Sequence, residues 1–457
     1  MSIALADSER QIPPHATGPD SSRRILLLSV PFPPHPEVGA IRAERLARTF
    51  TEAGHDVTVL TVRLPADLGA EKRVSAAAHE VVTVDAGQRY STRVLRWLRK
   101  LRFAGSRAIE PVLVSTGASD PGPSRKAGIR ELALALLGLP DADQHFIRAA
   151  MSSARRWRKG DFDLIYSTAP PFSGHLAAKR ISRRLGARLV LEFRDPWIHP
   201  HTRRVVRNFR LTRWVDDRME DRCIRAADRI IAVTDAAADL IRRRPDSPPV
   251  DVVLNGISAE LLESQPPHRT GPLNILYAGS LYLYRDPRKF LQAFSLVLQR
   301  RGWGTDHVRV ELMGKCRFFH GESVEELATQ LGIREYLTFT DHVPHAEAMR
   351  RIAAADVLLL LAQRQPLQVP NKLYDYLGMR APIVAYADSQ GETARMLRSV
   401  GGHLVIDHAN VARQADGLEA LLESRLMHRE ALVGNVEVLQ EWTSERQMQQ
   451  LLRALSL

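Results

Sequence analysis

The chain has 457 residues, 44% of them hydrophobic and 25% charged; it is too long for one ordinary core and too apolar for a disordered chain, so two or more packed domains are expected. Its two cysteines, Cys223 and Cys316, are far apart and lack metal-ligand spacing, which argues against a disulfide framework and fits a reducing cytoplasm. Lys and Arg number 64 against 52 Asp and Glu, a net charge of +12; this suits nucleic acid, an anionic membrane or phosphorylated substrates without choosing among them.

Residues 1–22 are polar and Pro-containing with no apolar core, and read as a disordered lead-in rather than a signal peptide. A strand is expected over 24–30, a Pro-rich loop over 31–39, then a helix with Ala43, Leu46, Ala47 and Phe50 on one face and Gly54 at its end. A strand over 57–62 completes a βαβ unit. Residues 93–103 set Val94, Trp97, Leu98 and Leu101 against Arg93, Arg96, Arg99, Lys100 and Arg102. This pattern suits either an interfacial membrane helix or a surface helix packed on the first sheet. Residues 115–126, rich in Ser, Gly and Pro, read as a loop. The longest apolar run, 132–140, falls well short of the roughly 18 residues that span a bilayer.

Further strands are expected over 163–167, 188–193 and 229–234, alternating with helical patterns as in a parallel sheet covered on both faces. Residues 261–271 read as a linker. The pattern restarts with strands over 273–278, 308–313, 357–361, 382–386 and 403–406, and ends in one long helix over 436–457 with Leu439, Trp442, Met448 and Leu452 apolar. The expected architecture is therefore α/β, with two halves, each built on its own sheet, facing across a cleft.

In such sheets ligands bind at the strand ends. Lys372 and Asp375, in Val369-Pro370-Asn371-Lys372-Leu373-Tyr374-Asp375, sit in a short helical segment before the strand over 382–386. The carboxylate can take two ribose hydroxyls and the ammonium a diphosphate or sugar oxygen. Gly279 ends a strand and leads to Arg285, Arg288 and Lys289, three cations near a helix start that can neutralise a diphosphate. Gly314 offers another close backbone approach, and Val343 lies in a strand-to-helix loop where backbone groups can read a nucleobase edge. In the first half, Gly39 admits a ligand near a helix N-terminus. Arg194 and Asp195 end a buried strand, and Ser173 with its neighbouring hydroxyls lies in the adjacent loop, where it can contact an acceptor. Asp161-Phe162-Asp163 precedes a strand and reads as a turn rather than a metal motif; His199 and His201 lack a third ligand.

Taken in order, "EAGHDVTVLT" (52–61), "ADRIIAVT" (227–234), "VVLNGI" (252–257), "YAGSLYLYRDPRKFLQAF" (277–294) and "VPNKLYDYLGMRAPIVA" (369–385) resemble the retaining GT-B glycosyltransferases of family 4, particularly enzymes of bacterial surface polysaccharides. The resemblance runs from residue 24 to about 452. It implies the GT-B fold: two Rossmann-like domains facing across a cleft, an acceptor-binding one over 23–262 and a nucleotide-sugar-binding one over 263–435, with a C-terminal helix over 436–457 crossing back to the first. It implies sugar transfer from a nucleoside-diphosphate donor, with retention, to a lipid-linked or saccharide acceptor, and no metal or other cofactor. Arg285 and Lys289 become the diphosphate ligands, with Arg288 a substitute for either, and Lys372 sits near the donor phosphates or sugar. Asp375 matches the second acid of the family's E-x7-E motif, which holds the ribose. The chain departs from the pattern at Leu367, where the first acid would stand; at Ser280, where an arginine often follows the glycine; at Arg380, in place of a helix-ending glycine; and at Arg194-Asp195, in place of a strand-ending histidine. Asp195 is expected to orient the acceptor hydroxyl or stabilise the sugar cation. An anionic membrane surface is an expected partner and nucleic acid is not, since the basic residues are not interleaved with stacking aromatics. A nucleotide-sugar epimerase or hydrolase, and a non-catalytic binding protein of the same fold, are the alternatives.

Overall fold

The computed structural model describes residues 22–35, 37–63, 79–84, 129–197, 209–263, 271–429, 432 and 434–457. The lead-in, the basic pattern at 93–103, the loop at 115–126 and His199 and His201 lie outside the described residues, apart from Ser22.

The first sheet contains β1 (Arg24–Leu28), β2 (Asp56–Val62), β3 (Glu80–Val84), β4 (Leu164–Ala169), β5 (Arg188–Phe193), β6 (Arg229–Ala232) and β7 (Val250–Val252). Its order is β3-β2-β1-β4-β5-β6-β7, and every pairing is parallel. The near-continuous apolar runs of β1, β4 and β5 follow from burial on both faces. On one face Ala43, Leu46, Ala47 and Phe50 of the helix Val38–Glu52 pack with Met448, Leu451 and Leu455 of the helix Ser444–Leu455. On the other, Phe146, Ile181, Leu185 and Ile224 bring in the helices His145–Ser153, Ser173–Leu185 and Arg210–Ile224.

The second half repeats this plan with β8 (Leu273–Ala278) and β9 (Val308–Met313), a small hairpin of β10 (Phe318–Phe319) and β11 (Glu322–Ser323), then β12 (Leu337–Thr340), β13 (Val357–Ala362), β14 (Ile383–Ala387) and β15 (Leu404–Ile406). The sheet order β12-β9-β8-β13-β14-β15 is again parallel throughout. Chain order reverses between β1 and β4 in one sheet and between β8 and β13 in the other, so each half opens a crevice at its strands' carboxyl ends. The two-sheet α/β architecture expected of the GT-B fold is present.

The differences are local. The C-terminal helix is two helices, Val436–Glu441 and Ser444–Leu455. It breaks because the Ile257 N–H donates to the Trp442 carbonyl and the Ser444 N–H to the Ile257 carbonyl, both at 2.8 Å, while the Thr443 side chain caps the second helix. Leu261, expected at the start of a linker, lies in the helix Ala259–Glu263 and packs so tightly on Gly378 that a Cβ there would stand 2.8 Å from its own Cβ. β3 and β7 were not expected: both are edge strands with little buried surface, so they lack the apolar runs that announce the interior strands. The Asp161-Phe162-Asp163 turn does structural work, Asp163 pairing with Arg24 at 3.0 Å and Asp161 accepting from the Arg158 N–H at 2.7 Å.

Candidate active site between the two sheets

The second crevice is built around the end of β8. Gly279 and Gly314 follow β8 and β9 at φ +146° and +110°, a region side chains disfavour, and a Cβ on Gly314 would stand 2.5 Å from the Gly279 carbonyl oxygen. Lys372, first residue of the helix Lys372–Gly378, reaches this turn: its Nζ donates to the Ala278 carbonyl and lies 4.6 Å from the Tyr277 ring centroid. Any side chain at Gly279 would overlap that ammonium. Tyr376, one turn along, accepts from the Ala278 N–H at 3.0 Å, so helix and strand end are tied together.

Burial lowers the Lys372 pKa to about 7, and the Arg285 guanidinium adds to the effect. Arg285 stacks on Tyr282 at 4.4 Å, and its buried Nε has no hydrogen-bond partner. Two cations held against each other in a partly dehydrated turn form a site for a compact polyanion. Asp375 lies on the same helix; burial raises its carboxyl to about 6, opposed by His345, Arg45 and Lys372. Arg45 comes from the helix Val38–Glu52 of the first half and donates to the Asn255 carbonyl, so Asp375 stands in the field of a cation from across the cleft.

The structure separates the three cations expected to act together. Arg288 is exposed and held by Asp286 at 2.8 Å and Glu322 at 3.4 Å, so its charge is already matched. Lys289 is exposed in the first turn of its helix. Val343 is half-buried against the core on the rim after β12. Arg380, where a helix-ending glycine was missing, takes the left-handed conformation at φ +55°.

In the first crevice Gly39 and Arg194 meet: a side chain at Gly39 would overlap the guanidinium. Arg194 donates to the Pro170 carbonyl, while its Nε and a second guanidinium nitrogen are buried without partners. Burial pushes the Asp195 carboxyl up, and the bond it accepts from Gln368 Nε2 at 2.5 Å works against that. Ser173 does not face this crevice. It is buried, and both its hydroxyl and its N–H bond Asp141. The neighbouring hydroxyls are taken up too, Ser167 by His175 at 3.0 Å and Thr168 by Glu192 at 2.6 Å. The expectation that this loop's hydroxyls contact an acceptor is therefore corrected: they are internal capping and network groups.

Sequence reasoning missed several residues. Glu192 is fully buried on β5; burial works to raise its carboxyl, but Arg42 at 2.7 Å overrides this and holds it below the usual range. Tyr166 donates to the same carboxylate at 3.0 Å. His175 is buried and pushed down to about 3 by burial and the nearby Arg194. Gln368 bridges the cleft to Asp195, and Thr234 donates to the Leu367 carbonyl at 2.9 Å. Glu392 accepts from the Ala236 N–H at 3.1 Å, and Arg395 pairs with both Glu392 and Asp235.

The sequence model of Glycosyltransferase Family 4 matches residues 103–261. The fold is similar to that of a sucrose-phosphate synthase from Thermosynechococcus elongatus, at 13% identity over 95% of this chain and 98% of that one, TM-score 0.61. HepE from Anabaena in complex with UDP and glucose aligns at 14% identity over 95% and 99% of the two chains, TM-score 0.59. The family match covers residues 103–261, and over the whole chain the likeness to these structures is that of the two-domain GT-B fold. The apo form of WaaB, a lipopolysaccharide outer core galactosyltransferase, aligns at 12% identity over 94% of this chain and 99% of that one, TM-score 0.57. At such identities the structural likeness is one of fold. No curated protein sequence gives a significant match. Among the described residues no helix is long and apolar enough to cross a membrane.

Proposed function

We propose that this protein is a glycosyltransferase that moves a sugar from a nucleoside-diphosphate donor, with retention, to a lipid-linked or saccharide acceptor used in cell-surface polysaccharide or glycoconjugate biosynthesis, working from the cytoplasmic side of a membrane. The observation that carries the donor half of this reading is the cluster of Lys372, Arg285 and the Gly279–Gly314 turn, with Asp375 on the same helix. Lys372 and Arg285 oppose the charge growing on the departing diphosphate, and Asp375 holds the ribose hydroxyls. Residues 263–435 would carry the donor, residues 23–262 the acceptor, and residues 436–457 return to the first domain. Arg194 and Asp195 then face the acceptor and an oxocarbenium-like transition state. HepE was solved with UDP and glucose, and WaaB is a lipopolysaccharide enzyme, which favours a uridine nucleotide and an envelope acceptor as first trials.

The test offers the protein a panel of nucleotide sugars with lipid-linked and free saccharide acceptors, with and without chelator, and reads products by mass spectrometry and early anomeric configuration by NMR. Chelator-resistant transfer with retention is expected. Strict dependence on a divalent metal, an inverted product, or donor turnover that needs no acceptor overturns the reading.

A further inference from the structure

We infer that the outer face of the helix Arg210–Ile224 is a docking surface for an anionic lipid bilayer. The helix is turned inside out for a water-facing element. Two of its four acids point inward: Asp216 is 5% exposed and accepts from the Trp197 indole N–H at 2.9 Å, and Glu220 is 2% exposed and paired with Arg244 at 2.5 Å. Arg210, Leu211, Arg213, Trp214, Arg218, Arg222 and Arg225 are exposed instead. Trp214 is 57% and Leu211 48% exposed, and Arg218 stacks over the Trp214 ring at 5.1 Å. Asp217 and Asp221 are half-buried between the two faces, Asp221 pairs with Arg244, and Arg225 lies 3.7 Å from Asp246.

Neighbouring helices extend the surface. The helix Ile129–Leu137 packs alongside and exposes Leu137 at 54%. The helix Ser173–Leu185 adds the exposed Arg180 and Arg183, which together with Arg222 surround Lys179. Apolar anchors beside concentrated arginine form the chemistry of an interfacial helix: tryptophan and leucine enter the headgroup boundary while guanidinium groups meet lipid phosphates. Nucleic acid would use the arginines but leave Leu211 and Leu137 in water.

The placement suits the proposed transfer to a lipid-linked acceptor, on which the purpose of this surface rests. The helix is tied to the chain just past β5 by the Trp197–Asp216 bond. Trp197, which bonds Asp216 and stacks on Phe172 at 4.5 Å, is two residues beyond Asp195. A bilayer held by the first turns of the helix would present its headgroups beside the acceptor crevice.

The test is flotation of the full chain with phosphatidylcholine vesicles, with and without phosphatidylglycerol. Wild type should float with the anionic vesicles only, and added salt should release it. The Arg213→Gln, Arg218→Gln, Arg222→Gln triple variant should bind on the order of 100-fold more weakly. Leu211→Ser with Trp214→Ser should also lose retention, with both variants melting near wild type because the replaced side chains are exposed. Flotation of either variant like wild type, equal retention by neutral vesicles, or capture of RNA but not of vesicles overturns the inference. Transfer to a water-soluble acceptor should survive both variants. Absence of any transfer, with flotation behaving as stated, would reject the proposed reaction and leave the docking surface standing.

Discussion

With Lys372 at the proposed phosphate site, nucleotide binding is expected to depend on pH in a calculable way. In the donor-free protein burial and Arg285 bring its pKa to about 7, so the amine is half protonated at neutrality. A bound diphosphate favours the charged form and returns the pKa toward the ordinary value of about 10.4. Binding selects the protonated amine, so affinity is full below the free-state pKa, falls as pH rises through 7, and stops falling near the bound-state pKa. Linkage then gives about a 50-fold loss of nucleotide affinity between pH 7 and pH 9, with uptake of about half a proton per nucleotide at pH 7 and about 0.9 at pH 8. UDP is a suitable probe in that window because its terminal phosphate, with a pKa near 6, is already ionised. Asp375, raised to about 6, is also ionised there. Calorimetry in two buffers of different ionisation enthalpy measures both affinity and proton uptake. Lys372→Met should bind UDP weakly and without the slope. A wild-type affinity constant within twofold from pH 7 to 9, or a slope that persists in Lys372→Met, would refute the assignment of this amine to the phosphate site.

Arg285→Ala should weaken nucleotide binding by about 2 kcal/mol, the loss of one charge-assisted partner, whereas Arg288→Ala should stay within about 0.5 kcal/mol because Asp286 and Glu322 already hold that guanidinium; UDP titration separates them. Gln368→Ala removes the hydrogen bond that opposes the upward shift of Asp195, so the acid limb of the kcat profile should move to higher pH, while a role confined to packing would lower kcat with no movement of that limb. Arg42→Ala strands the buried Glu192 carboxylate and should destabilise the first domain by about 3–5 kcal/mol, read as a lowered melting transition; Arg42→Lys should recover only part of this because two backbone carbonyls also need the guanidinium's fork.

The interior strands were legible because burial on both faces demands uninterrupted apolar runs: β5, β8 and β9 begin and end where the sequence pattern places them. The edges were not, since β7 is only partly buried throughout and so shows no such run. The meeting of Lys372 with Gly279 was readable as two strand-end motifs on one edge. The direction of each cation was not: Arg285 lies before the helix and turns inward, whereas Arg288 opens it and finds Asp286 in its own turn. The hydroxyls of Ser167, Thr168 and Ser173 looked available for a ligand because their partners, His175, Glu192 and Asp141, become neighbours only in the folded first domain. Gln368 was hidden for the same reason at longer range, its partner Asp195 being 173 positions away.

The helix Val38–Glu52 links the two crevices physically. Gly39 lies under Arg194 at the strand ends of the first sheet. One turn on, Arg42 fixes Glu192 on β5 and donates to the carbonyls of Val253 and Leu254, where the chain leaves the first sheet. Arg45 then holds the Asn255 carbonyl and contributes to the field on Asp375. Residues 253–257 therefore lie between a buried ion pair on one side and the helix break at Trp442–Ser444 on the other, where a Cβ at Gly256 would stand 2.6 Å from the Ser444 Cα. A movement of the second domain that shifts Asp375 changes the field that Arg45 sets on it. The same helix therefore carries Gly39 beneath Arg194, the buried Arg42–Glu192 pair and the cation whose field reaches Asp375.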